Sequence, residues 1–105
     1  MAFTGADIGA FAAAAGSSRD KPSVSLTTTA AGSFVIGVGI DPERRGAKTP
    51  DPGQIIYHQW VDMNQNATFW VQVRTAQTPA GGIATISDLG TNSRWNLAAV
   101  EVVPR

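Results

Sequence analysis

From residue 23 onward, apolar and polar residues alternate with a period of two, the spacing of strands that bury one face. In VSLTT, Val24, Leu26 and Thr28 point one way. In FVIGVGI, Phe34, Ile36, Val38 and Ile40 share a face, with Gly37 and Gly39 on the other. QIIYHQWV separates Ile56, His58 and Trp60 from Ile55, Tyr57 and Val61, so both of its faces are partly apolar. In TFWVQVRT, Phe69, Val71 and Val73 alternate with Trp70, Gln72 and Arg74. IATIS predicts a short strand and WNLAAVEVV a closing one; all these runs are rich in the β-branched and aromatic residues that strands favour.

Turn residues separate the runs. AAG (30–32) and TPAGG (78–82) predict tight turns, DMNQNA (62–67) a hairpin connection, and DPERRGAKTPDPG (41–53) and DLGTNSR (88–94) longer loops. Helical periodicity is confined to residues 7–15, too little for βαβ units. The expected fold is therefore all-β: an antiparallel β-sandwich, jelly-roll or Ig-like, of about six to seven strands. Residues 1–105 form one domain at this length. Its strand core is 23–103, and the Ala/Gly/Ser-rich segment 1–22 reads as a surface loop with room for a helical turn.

Composition narrows the function classes. Eight basic and eight acidic residues give a formal net charge of +0, which disfavours nucleic acid and anionic lipid surfaces as partners. With no cysteine there is neither a disulfide framework nor a thiolate metal site. No stretch is apolar for the roughly 20 residues a spanning helix needs. The run IGAFAAAAG (8–16) lacks a basic region before it, so no export signal is expected in this chain.

Candidate chemistry is sparse. His58 is the only histidine. Asp62 lies four residues along the same strand, about 13 Å away and too far for a hydrogen bond. No second histidine offers itself for a metal site. Asp41, Glu43 and Asp51 share a loop, but without calcium-loop spacing and with Arg44, Arg45 and Lys48 opposing a cation. GVG (37–39) has Pro42 where a dinucleotide fingerprint needs its third glycine; its glycines more simply admit a close strand or an aromatic ring. Asn66-Ala67-Thr68 matches a glycosylation acceptor and supports a surface loop. No cofactor, metal or catalytic residue is expected.

The three tryptophans carry more weight. The parity of Trp70 with Gln72 and Arg74 suggests the wetter face of its strand. An exposed indole beside amide and guanidinium groups suits a sugar ring, so Trp70 and Arg74, with Trp60 or Tyr57, are the candidate ligand-binding residues. The competing reading places these rings in a core or an interface.

The blocks PSVSLTTTAAGSFVIGVGID, PGQIIYHQWVD, TFWVQVRTAQTPAGG and RWNLAAVEV, in that order, resemble the C-terminal half of a β-sandwich accessory module of large secreted or cell-surface bacterial proteins. The resemblance covers nearly the whole chain and contains no catalytic motif. It implies an extracellular or cell-surface setting and a non-catalytic structural or adhesive role, with further strands preceding the AFTG phrase. A sheet lacking those strands has an unpaired edge and an uncovered apolar face, and both favour a homo-oligomer, a two-fold dimer above all. The alternatives are a carbohydrate-binding module with a polysaccharide partner and a filament or virion surface subunit.

Overall fold

The computed structural model describes residues 5–16, 21–43, 46–90 and 93–104. It contains seven strands: β1 (Ala6–Gly16), β2 (Ser23–Thr27), β3 (Phe34–Asp41), β4 (Gln54–Asp62), β5 (Ala67–Arg74), β6 (Ile83–Ser87) and β7 (Trp95–Pro104). Five of them form an antiparallel sheet in the order β1-β7-β3-β5-β4, and β2 pairs with β6 in a two-stranded sheet. The small sheet lies against one face of the large one, so the chain is an all-β, sandwich-like fold. No helix among the described residues is long and apolar enough to cross a membrane.

The core lies between the sheets. Val24 and Leu26 of β2, with Ala84 and Ile86 of β6, pack against Val35, Trp70, Trp95, Leu97 and Ala99 of the large sheet. The glycine face of β3 is the inward one. A Cβ on Gly37 would sit 2.7 Å from Ile86 Cγ2, and one on Gly39 would sit 2.6 Å from Trp70 Cε2. Those glycines let bulky side chains from the opposite sheet and the neighbouring strand fill the space above the backbone.

Three sequence expectations need correction. Residues 6–16 form a strand, not a loop with a helical turn. Alanine is a weak strand former, but here small size is what the site requires. Ala10, Ala12 and Ala14 pack at the core margin, and a Cβ on Gly16 would meet Trp95 Nε1 at 2.6 Å. Residues 17–20 of the expected loop, and 44–45 and 91–92 of two others, lie outside the described residues, as do residues 1–4 with most of the AFTG phrase.

The second correction concerns β5. Trp70 is 1% exposed and Gln72 fully buried, so their face is the core face and not the wetter one. Gln72 is polar because it works inside: its Nε2 donates to Gln54 Oε1 and the Ser87 carbonyl, and its Oε1 accepts from Trp70 Nε1. A buried hydrogen-bonded amide is indistinguishable from a solvated one in a period-two pattern.

The third concerns β4. Its pairing with β5 shifts register between Ile56 and His58, leaving Tyr57 as the extra residue of a bulge. Beyond the bulge the parity inverts. Ile55, His58 and Trp60 pair with the outward Val73, Val71 and Phe69, whereas Ile56 and Gln59 pair with the inward Gln72 and Trp70.

Candidate functional site

The second face of the large sheet carries no second layer among the described residues. Strand register lines its side chains into rows that cross all five strands. One row runs Phe11, Val100, Ile36, Val73, Ile55; the next Ala13, Ala98, Val38, Val71, His58; the third Ala15, Asn96, Ile40, Phe69, Trp60. Only His58 and Asn96 in these rows are polar. Phe11 is 81% exposed, Trp60 60% and Val38 57%. Isolated exposed apolar residues are ordinary, but a continuous apolar sheet face is a surface for something to cover.

The face has relief. On the β1–β7 side, Ala13, Ala15 and Ala98 floor a shallow depression of about 580 Å3 bounded by Ile40 and Phe69. A second depression, about 410 Å3, lies among Phe34, Ile36, Ile55, Tyr57 and Val73. The β4 side is raised by large rings: Trp60 stacks on Phe69 with centroids 5.5 Å apart and planes 26° apart, and Tyr57 is 53% exposed.

The four candidate ligand residues therefore part company. Trp60 and Tyr57 stand on the outer face. Trp70 is core, so its ring offers nothing to a ligand in solvent. Arg74 ties the sheets, its Nη1 donating to the Thr85 carbonyl at 2.7 Å, and also borders the second depression with Tyr57. His58 lies exposed in the middle row, without Asp62 as a partner: Asp62 Oδ1 accepts from the backbone N–H groups of Asn64 and Gln65 at the β4–β5 turn. Phe11, Ala13, Val38 and Phe69 belong to the same face, and sequence reading did not assign them to a site. The signal was there in β3, whose two faces are apolar on one side and glycine on the other.

The loop carboxylates are each claimed by a cation. Asp41 pairs with Lys48 at 2.6 Å, Asp51 with Lys21 at 2.5 Å and Glu43 with Arg94 at 2.7 Å. Among the described residues, no three His, Cys, Asp or Glu side chains gather where they would hold a metal ion.

Two buried acids have opposite electrostatics. Burial pushes the Glu101 carboxyl up, but hydrogen bonds from the Ala10 N–H, the Ser33 hydroxyl and the Thr29 N–H and hydroxyl outweigh it, bringing its pKa to about 2. Asp88 has no such cage. Burial raises it to about 7 against the pull of Lys48 and of the Trp70 and Gln72 side-chain N–H groups, neither of which closes to a full hydrogen bond with it.

Comparison with known proteins gives no further guide: the chain matches no family model, no curated protein and no solved structure.

Proposed function

We propose that this chain is a non-catalytic structural or adhesive module that works by association through the outer face of its five-stranded sheet, with a second copy of itself as the partner. The rows crossing from β1 to β4, apolar but for Asn96 and His58, carry this reading. The secreted or surface-displayed setting rests on the sequence resemblance alone.

Size and shape favour a second copy. Five strands about 4.8 Å apart and about eight residues long make a face of about 24 by 26 Å. Face-to-face packing then buries about 1,200 Å2 in total, above the roughly 1,000 Å2 a specific interface needs. The face carries no fixed charge in its rows to be stranded by burial. It is also low where it is alanine and high where it is aromatic. A two-fold axis running along the central β3 sets the Trp60 side of each copy over the Ala13–Ala15 side of the other, with the sheets about 10 Å apart.

The test is absolute mass by light scattering across a dilution series. The expected result is a dimer that Val38→Glu converts to a monomer with its β-sheet circular dichroism and cooperative unfolding intact, since Val38 points away from the core. A wild-type monomer at every concentration defeats the self-association reading.

A second reading has its own support in the exposed Trp60–Phe69 stack beside Tyr57, a platform for a sugar ring. It replaces the Trp70-centred arrangement with one on β4. Retention on polysaccharide that is lost in Trp60→Ala, by a protein that stays monomeric, selects this reading over the first.

A further inference from the structure

Both edge strands of the large sheet are bulged. In β1 the register against β7 shifts between Ile8 and Phe11, so Gly9 and Ala10 together stand where one residue would. Glu101 of β7 holds that bulge: its Oε1 accepts the Ala10 N–H at 3.0 Å, and a Cβ at Gly9 would run into the same carboxylate. Residues three apart on a regular strand face opposite ways. Across this bulge Ile8 and Phe11 face the same way, outward, in the rows of Phe34 and Ile36. They are 69% and 81% exposed, two large apolar side chains standing together at the rim of the face. One such residue is ordinary, but a pair fixed in place by a buried carboxylate is a built projection.

Beside the β4 bulge at Tyr57 lies a hollow. Phe34, Ile36, Ile55, Tyr57 and Val73 surround its volume of about 410 Å3, with Arg74 and Thr75 at its border. Projection and hollow stand at the same height along the strands, since Phe11 and Ile55 are the two ends of one row. Given the self-association already proposed, on which this contact rests, we propose that each copy seats its Ile8–Phe11 pair in the hollow beside Ile55 of the other.

A two-fold axis along β3 exchanges β1 with β4 and β7 with β5, and leaves the height along the strands unchanged. Phe11 of one copy therefore arrives over Ile55 of the other, with Ile8 further along at the level of Phe34. In the middle row His58 arrives over Ala13, and in the third Trp60 over Ala15, so each of these large β4 side chains meets a methyl group. One operator thus fills both depressions, the alanine-floored one with Trp60 and this one with Ile8 and Phe11. An axis across the strands would lay each edge strand over itself instead. The rings of β4 would then meet rings while the alanines of β1 met alanines, crowding one side and leaving the other open. Aromatic side chains seated in pockets carry much of the binding energy of such contacts, and the hollow gives Phe11 a pocket.

Light scattering across a dilution series tests the contact on Phe11→Lys, on Ile55→Asp and on the two mixed in equal amounts. Both positions are exposed in a single copy, so each variant should keep the wild-type circular dichroism. Each alone should fall to monomer mass at concentrations where the wild type is dimeric, because an unpaired charge enters an apolar contact at both ends of the dimer. The mixture should return to dimer mass. At one end the introduced lysine faces the introduced aspartate, and at the other Phe11 still faces Ile55. A Phe11→Lys chain that dimerises as the wild type does, or a mixture of folded variants that stays monomeric, overturns the proposal. A wild type that is monomeric throughout defeats the self-association itself. A wild type that dimerises, is broken by Val38→Glu and is untouched by Phe11→Lys keeps the self-association and removes this contact alone.

Photo-crosslinking supplies a second readout without a disruptive change. With p-benzoylphenylalanine in place of Phe11, irradiation of the dimer should join position 11 to the peptide that carries Ile55 and Tyr57, as read by mass spectrometry. Within one copy these positions lie on opposite edges of the sheet, so that bond can only join two chains. A dimer cross-linked from position 11 to the β1 peptide would report the axis across the strands and overturn the proposal, and so would a dimer with no cross-link between copies.

Discussion

The Gly39 backbone runs directly beneath the Trp70 indole, so closely that a Cβ at 39 would lie 2.6 Å from Cε2 and 2.7 Å from Cη2. The ring has nowhere to retreat. Its Nε1 donates to Gln72 Oε1 at 3.2 Å, and the Lys48 ammonium lies over its face. Gly39→Ala should therefore lower unfolding stability by about 1–3 kcal/mol, the usual cost of overpacking a rigid core site. Gly46→Ala is the control, since a Cβ at Gly46 meets nothing within 4 Å. Urea denaturation of both variants checks this; equal midpoints would refute the close packing.

The same pair shows how much the sequence disclosed. The GVG in β3 implied a close approach, and an aromatic ring does approach it. The strands after residue 22 were legible because β-branched residues, alternation and turn residues all agree there. The strand at Ala6–Gly16 was not, because its composition answers to the size of Trp95 and to the core margin, which no local pattern reveals. Trp70 was misplaced for a related reason. Gln72 and Arg74 look solvated by type, yet one is satisfied inside the core and the other ties two sheets together. The outer face was half legible: Phe34, Ile36, Val38 and Ile40 were grouped correctly, but the bulge at Tyr57 hid that Trp60 and His58 join Ile55.

That bulge is testable by deletion. Removing Tyr57 leaves Ile55 outward, Ile56 inward and His58 outward, so the pairing with β5 continues in regular alternation. A chain lacking Tyr57 should fold with a melting temperature near that of the wild type. Deleting Gln59 instead would shift Trp60 towards the core face and should cause a large loss of stability, because a one-residue slip exchanges the two faces. Thermal unfolding followed by circular dichroism compares the two, and equal losses would count against the bulge.

Acid should destabilise the fold through Glu101. Its folded pKa of about 2 lies below the ordinary 4.5, so the stability it contributes is present above about 4.5 and is lost as pH falls towards about 2. Asp41, also lowered, acts in the same direction. Glu101→Gln keeps the volume but loses charged hydrogen bonds to the 29–33 turn and to Ala10. At neutral pH this variant should be less stable by about 2 kcal/mol. It should also show a shallower stability loss between pH 4.5 and 2. An unchanged acid slope would mean that the carboxylate cage is not what the pH profile reports.

Trp60 offers an optical test of the outer face. Trp70 and Trp95 are 1% and 5% exposed, against 60% for Trp60, so acrylamide should quench chiefly Trp60. In Trp60→Ala the quenchable component should vanish, while stability changes little because half or more of that ring lies outside the fold. Trp70→Ala should instead cost about 3–5 kcal/mol, as removal of a buried large aromatic does. If the outer face seats a second copy, Trp60 is shielded in the dimer and its quenching should increase on dilution, in step with the fall in mass. Quenching independent of concentration in a protein that does dimerise would place the contact elsewhere, at a sheet edge and not on the aromatic side of the face.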